Sequence, residues 1–198
     1  DLNSGWNMWS TYIDPSSGSG CTSESSMATL FSDIVEDVTI VKDQYGNVYW
    51  PEFGLNSIGC IDSGFGYQTK MTSTTTLTIS GDLIPSDFAI DLEAGWSMIG
   101  YLNQDCSNAT SVMASVVESL TILKDEIGNV YWPEFGLNNV GNMCPGEGYQ
   151  IKMDADAMFS YSSSSERLGY VEPIRTVYYE RPQNTGSNMT IGLPVTAW

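Results

Sequence analysis

The string GNVYWPEFGLN occurs twice without a mismatch, at Gly46 to Asn56 and again 82 residues later at Gly128 to Asn138. A repeat of this kind limits the chain to architectures assembled from a copied unit, because each copy folds by the same local rules. At the same offset Thr39-Ile40 matches Thr121-Ile122 and Lys42-Asp43 matches Lys124-Asp125. Gly66-Tyr67-Gln68 likewise matches Gly148-Tyr149-Gln150, and Lys70-Met71 matches Lys152-Met153. The opening recurs at an offset of 90, with Asp1-Leu2 and Gly5-Trp6 answered by Asp91-Leu92 and Gly95-Trp96. The eight extra residues of the first copy fit most simply in the Ser/Gly stretch Pro15 to Gly20, where a loop absorbs them.

Periodicity within a copy predicts its elements. Gly5 to Ile13 reads as a strand, and Met27, Leu30, Phe31, Ile34, Val35 and Val38 are spaced by three and four, as on one face of a helix. Val112, Met113, Val116, Val117 and Leu120 repeat that face. Thr39 to Lys42, the turn Asp43 to Asn47 and Val48 to Trp50 predict a hairpin whose Gly46 supplies the positive φ, and Pro51 ends its second strand. Further strands are expected at Gly66 to Met71, Gly148 to Met153, Thr75 to Ile79 and Met158 to Tyr161. The expected class is α+β: two tandem pseudo-symmetric repeats, each one helix packed on a small, mostly antiparallel sheet. Residues 1–90 form the first unit and 91–162 the second, packed about a pseudo-twofold because ~80 residues alone bury a modest core.

Charge separates this body from a tail. Three Arg balance three Glu in residues 163–198, so the whole net charge of −17 belongs to residues 1–162, which hold all four Lys. Such a charge favours solubility and repels nucleic acid, so nucleic acid is not an expected partner. The chain has no His, which excludes Ser-His-Asp and Cys-His catalysis and His-ligated zinc. No apolar run approaches the ~18 residues that a helical membrane span needs. The tail has linker composition around Tyr170 to Ile174 and Arg181 to Asn184, then an apolar stretch, Met189 to Trp198, that reads as the first strand of a following domain of a longer polypeptide.

Four cysteines allow three pairings. The separations of 39 for Cys21 and Cys60, and 38 for Cys106 and Cys144, favour one bridge in each copy over reduced core thiols, and zinc lacks its Cys-x-x-Cys spacing. Bridges imply an oxidising location, extracellular or at a cell surface.

The strings GW-(N/S)-M, VKDxxGNVYWPEFGLNxIG and GxGYQxKM together resemble a repeated module of large secreted or cell-surface proteins of Bacteroidetes and related phage proteins. The likeness covers roughly residues 1–162, through Gly5-Trp6, Lys42-Asp43, Gly46 to Gly54 and Gly66 to Met71 in the first copy and their counterparts in the second. Asn188 to Pro194 resembles the opening of the β module that often follows such repeats. The resemblance implies surface display, commonly as a non-catalytic part of a long architecture, and transfers no catalytic residues. The second copy departs from the first at Asn142-Met143-Cys144, where its cysteine is shifted by two places.

The site candidates follow from residue chemistry. Tyr49-Trp50-Phe53 and Tyr131-Trp132-Phe135 are either core or platforms for sugar rings, and strand alternation leaves one of each Tyr-Trp pair outward, with Trp50 and Trp132 preferred as ligand residues. Glu52 and Glu134 are one residue seen twice rather than a glycosidase pair, each with a repeated Lys as a potential ion-pair partner. Asp43 and Asp125, in acidic turns, offer oxygen ligands that make calcium a possible cofactor, although a turn Asp more commonly caps its own backbone. Asn108-Ala109-Thr110 and Asn188-Met189-Thr190 match a glycosylation sequon. The expectation is a non-enzymatic structural or adhesive module contacting other domains, surface or assembly proteins, or glycans. Carbohydrate-binding and virion-fibre or decoration roles are the alternatives.

Overall fold

The computed structural model describes residues 1–161, and the linker and terminal strand expected beyond them lie outside the described residues. The architecture is mixed, mostly small antiparallel sheets with few and short helices. The first copy contributes β1 (Gly5–Trp9), β2 (Val38–Lys42), β3 (Val48–Trp50), β4 (Leu55–Asn56) and β5 (Tyr67–Met71), in the sheet order β1-β5-β2-β3-β4. The second contributes β6 (Gly95–Gly100), β7 (Leu120–Lys124), β8 (Val130–Trp132), β9 (Leu137–Asn138) and β10 (Gly148–Met153), in the corresponding order β6-β10-β7-β8-β9. Both sheets lie in one compact unit.

The hairpin forms as its residues dictate. Val41 faces Tyr49 across β2 and β3, and Gly46 turns the chain at φ 86°. Pro51 stops β3 and opens a short 3₁₀ turn, Pro51–Phe53.

Three expectations need correction. The strand from Gly5 stops at Trp9, and only Ile13–Asp14 resumes as a two-residue ladder with Asp82–Leu83. Thr75 to Ile79 is not a strand; only Thr75 forms a bridge, to Leu2. The helix is a single α turn, α1 (Met27–Leu30) or α2 (Ala109–Val112), running on as 3₁₀. Paired β-branched residues, Ile34-Val35 and Val116-Val117, lower helix propensity there, and Ile34 leaves helical geometry at φ −127°. The apolar face nevertheless does its expected work, since Met27, Phe31 and Val38 are buried, as are Val112, Met113, Val116 and Leu120.

Each sheet covers its own core with one face. In the first, Trp9 packs on Phe31 and Tyr67 at 5.8 and 5.4 Å between rings, and its Nε1–H donates to Thr69 Oγ1 at 2.7 Å. The second core draws in Ile84 and Ile90 from the end of the first copy. The edge strands β1 and β6 are closed by the opposite copy. Ser10 N–H donates to the Gly146 carbonyl (3.0 Å), and Gly100 N–H donates to that of Gly64 (2.9 Å). Met8 N–H donates to Glu126 Oε2 at 2.7 Å, while Met98 N–H donates to Gln44 Oε1 at 2.9 Å. Side chains from each hairpin turn thus satisfy strand donors that an open edge would leave bare.

The closeness of this seam requires glycine at two matching places. A Cβ on Gly148 would stand 2.8 Å from the Trp9 carbonyl oxygen, and one on Gly66 would stand 2.9 Å from that of Ile99. Both obstacles are backbone, so Gly148→Ala is expected to destabilise by about 1–3 kcal/mol, the usual range for overpacking. Urea unfolding tests this, and an unchanged midpoint would show that the seam yields freely.

Candidate functional site

Alternation along the strands decides what each sheet turns outward. With Asn7, Trp9, Thr69, Tyr67, Val41 and Tyr49 on the inner face, the outer face of the first sheet carries Trp6, Lys70, Ile40, Trp50 and Leu55 as one row across all five strands. Lys70 faces both Trp6 and Ile40, and Leu55 faces Trp50. The second sheet presents Trp96, Lys152, Ile122, Trp132 and Leu137 in the same row. A five-strand row is about 19 Å wide at the usual ~4.8 Å spacing.

Large apolar side chains remain in solvent on these faces. Trp6 and Trp96 are 49% and 52% exposed, and Phe53 and Phe135 are 65% and 66% exposed. Lys42 Nζ lies 5.0 Å above the Trp6 ring and Lys124 Nζ lies 4.9 Å above that of Trp96, in the geometry of a cation–π contact. All four lysines of the chain therefore sit on the two outer faces. Among the described residues none of them is ion-paired, so the partnership expected with Glu52 and Glu134, both exposed, does not form.

The seam meets each face in a shallow cleft. One of about 250 Å³ is lined by Trp6, Met8, Gln68 and Glu126. Its counterpart, about 200 Å³, is lined by Trp96, Met98, Gln150, Gln44 and Asp43. Glu126 in the first thus corresponds to a neutral Gln44 in the second. A cavity of about 510 Å³ lies between Leu83 to Ser86 and Leu102 to Ser107, lined by none of the outer-face residues, and Asp105 is its one charged side chain.

Tyr49 and Tyr131 are buried core residues. Trp50 and Trp132 are half-buried, each stacked edge to face on Phe53 or Phe135 at 4.7 Å. Their Nε1 atoms are buried without a hydrogen-bond partner. The more open rings are Trp6, Trp96, Phe53 and Phe135, and the first two are absent from the sequence-derived candidates. A signal for them exists. Trp6 is retained at Trp96, whereas Trp9 is replaced by Ile99, and their three-residue spacing puts the pair on opposite sides of a strand.

Asp43 spends its carboxylate on its own turn, accepting from Tyr45 N–H (2.9 Å), Asn47 N–H (2.8 Å) and Asn47 Nδ2 (2.8 Å). Asp125 accepts from Asn129 N–H and Nδ2, both at 2.8 Å. Among the described residues no three His, Cys, Asp or Glu side chains are grouped to hold a metal.

The cysteines pair as Cys21–Cys60 and Cys106–Cys144, with no free thiol among the described residues. Each bridge ties the loop before the helical turn to the loop before the last long strand, and a buried tyrosine braces that second loop. Tyr67 Oη accepts from Asp62 N–H at 2.7 Å, and Tyr149 Oη accepts from Cys144 N–H at 3.1 Å while donating to Glu147. Burial raises both phenols well above the ordinary tyrosine range, and the Glu147 acceptor reinforces the effect at Tyr149. Burial also raises the Asp62 carboxyl, with Asp43 adding repulsion. Two disulfides accord with an extracellular protein, and no described helix is long and apolar enough to cross a membrane. No family model matches the chain, and neither does any curated protein or solved structure.

Proposed function

We propose that the chain is a non-enzymatic adhesive module of an extracellular or cell-surface protein, made of two copies of one unit about a pseudo-twofold, with the outer sheet faces as its contact surfaces. One observation carries the reading: the same row of tryptophan, leucine and lysine side chains, closed over a buried Ile40 or Ile122 at its centre, recurs on both sheets with Trp6, Leu55, Trp96 and Leu137 exposed. A scattered exposed apolar residue needs no explanation, but a contiguous set repeated in two places marks an interaction surface. The matched hydrogen bonds of Met8 with Glu126 and Met98 with Gln44 support the copied-unit part, and the disulfides support the compartment.

The test is a binding screen of the full chain on arrays of glycans and extracellular-matrix proteins, with a W6A/W96A variant of unchanged melting temperature as control. Signals lost in the variant are expected. Signals that persist in it would refute the faces as contact surfaces. Sugar release by the wild type that disappears in Glu52→Gln or Glu134→Gln would refute the non-enzymatic part.

A further inference from the structure

We propose that each outer sheet face binds a polyanionic polysaccharide, its sugar rings lying on the exposed tryptophan and phenylalanine surface and its carboxylate or sulfate groups meeting the lysines. This rests on the reading of the sheet faces as contact surfaces and names their ligand. The charge distribution carries it. A body of net charge −17 places every lysine it has on these two faces, and among the described residues none is neutralised by a carboxylate. The same body holds 21 Asp and Glu residues with which they could have paired. The lysines instead border aromatic rings: Lys70 faces Trp6, and Lys42 rests on the same indole.

The chemistry of the row fits alternating demands. Tryptophan and phenylalanine offer apolar surface to the C–H face of a pyranose ring. Lysine donates charge-assisted hydrogen bonds to an acidic substituent, and Gln68 or Gln150, beside Lys42 or Lys124 on the same face, supplies a neutral donor and acceptor for hydroxyls. A face about 19 Å wide seats several consecutive rings. The acids elsewhere on the molecule act across the ~8 Å screening length of physiological salt, whereas the lysines act in contact. Glu126 is the acid that lines the cleft of the first face, with Trp6 and Gln68. The matching position in the second cleft is the neutral Gln44, and the acid lining that cleft is Asp43, whose carboxylate is already engaged by its own turn.

Affinity electrophoresis and titration calorimetry of the full chain test this with alginate, pectate and chondroitin sulfate as probes, against dextran and laminarin as neutral controls. Retardation by at least one polyanion and not by the neutral glycans is expected, with carboxylated and sulfated probes separating the two sources of charge. K70Q/K152Q is expected to lose at least tenfold in affinity, E126Q to gain severalfold while keeping an acceptor for Met8 N–H, and raising salt from 50 to 300 mM to weaken binding. Equal binding of neutral glycans, or polyanion binding indifferent to K70Q/K152Q, would overturn the ligand assignment. The contact-surface reading would survive either result provided that W6A/W96A still abolished the signal. Array hits confined to protein spots and lost in W6A/W96A would likewise sink the polysaccharide and keep the surface. Binding that persists in W6A/W96A would sink both.

Discussion

Reducing both disulfides is expected to unfold the chain at room temperature. Cys21–Cys60 and Cys106–Cys144 close separate loops at sequence separations of 39 and 38 residues. Loop-closure entropy gives each about 4 kcal/mol of stabilisation. Because the loops do not overlap and each serves its own core, the two contributions add to about 8 kcal/mol. Domains of this size have a total stability of about 5–15 kcal/mol, so the loss is of the same order as the whole. The measurement is urea unfolding followed by near-ultraviolet circular dichroism, with and without dithiothreitol, on the wild type and on C21A/C60A and C106A/C144A. Each double variant is expected to fall by about 4 kcal/mol. A reduced protein that keeps its oxidised midpoint would show that the cores suffice without the crosslinks. Peptide mapping under non-reducing conditions that joined the first half to the second would contradict the pairing itself.

The second large effect is alkaline. Burial raises the phenols of Tyr67 and Tyr161 far above the ordinary value near 10, and Tyr161 Oη donates to the Gly100 carbonyl at 2.5 Å. The folded state keeps these protons where the unfolded state releases them. Stability is therefore unaffected below about pH 10, and falls above it at about 1.4 kcal/mol per pH unit for each such group. Two groups together remove about 2.8 kcal/mol per unit, and Tyr149, as deeply buried, acts in the same direction. Cooperative unfolding between pH 11 and 12 is expected, with tyrosinate absorbance at 295 nm rising in step with loss of near-ultraviolet dichroism. Y67F and Y161F should each flatten the decline. Tyrosinate absorbance that rose smoothly from pH 10 while the dichroism held would mean that these phenols ionise in the folded protein.

Much of the fold was legible because the residues that set it act locally. The Asp43 to Asn47 turn, the stop at Pro51 and the cysteine spacings each depend on neighbours in sequence, and each appears where the residues place it. The helix was harder. Its apolar spacing reads as several turns, yet burial asks only that Met27, Phe31 and Val38 reach the core, and a 3₁₀ path meets that demand through β-branched residues. Short ladders such as Leu55–Asn56 and Ile90–Leu92 carry too few residues to show a period. The candidate faces were half legible. Alternation separates Tyr49 from Trp50, but it cannot reveal that Phe53 folds over the indole, or that lysines from two different strands gather beside Trp6 and again beside Trp96. Those contacts depend on strand order, which pairs β1 with β5 across more than sixty residues.

The rims of the two sheets have a further consequence. β4 and β9 form the remaining outer borders and contain two residues each, Leu55–Asn56 and Leu137–Asn138. An incoming extended peptide would find too few backbone groups there to extend the ladder, and at the centre it would find the positions taken. Ribbon-like polymerisation is thereby blocked at both borders.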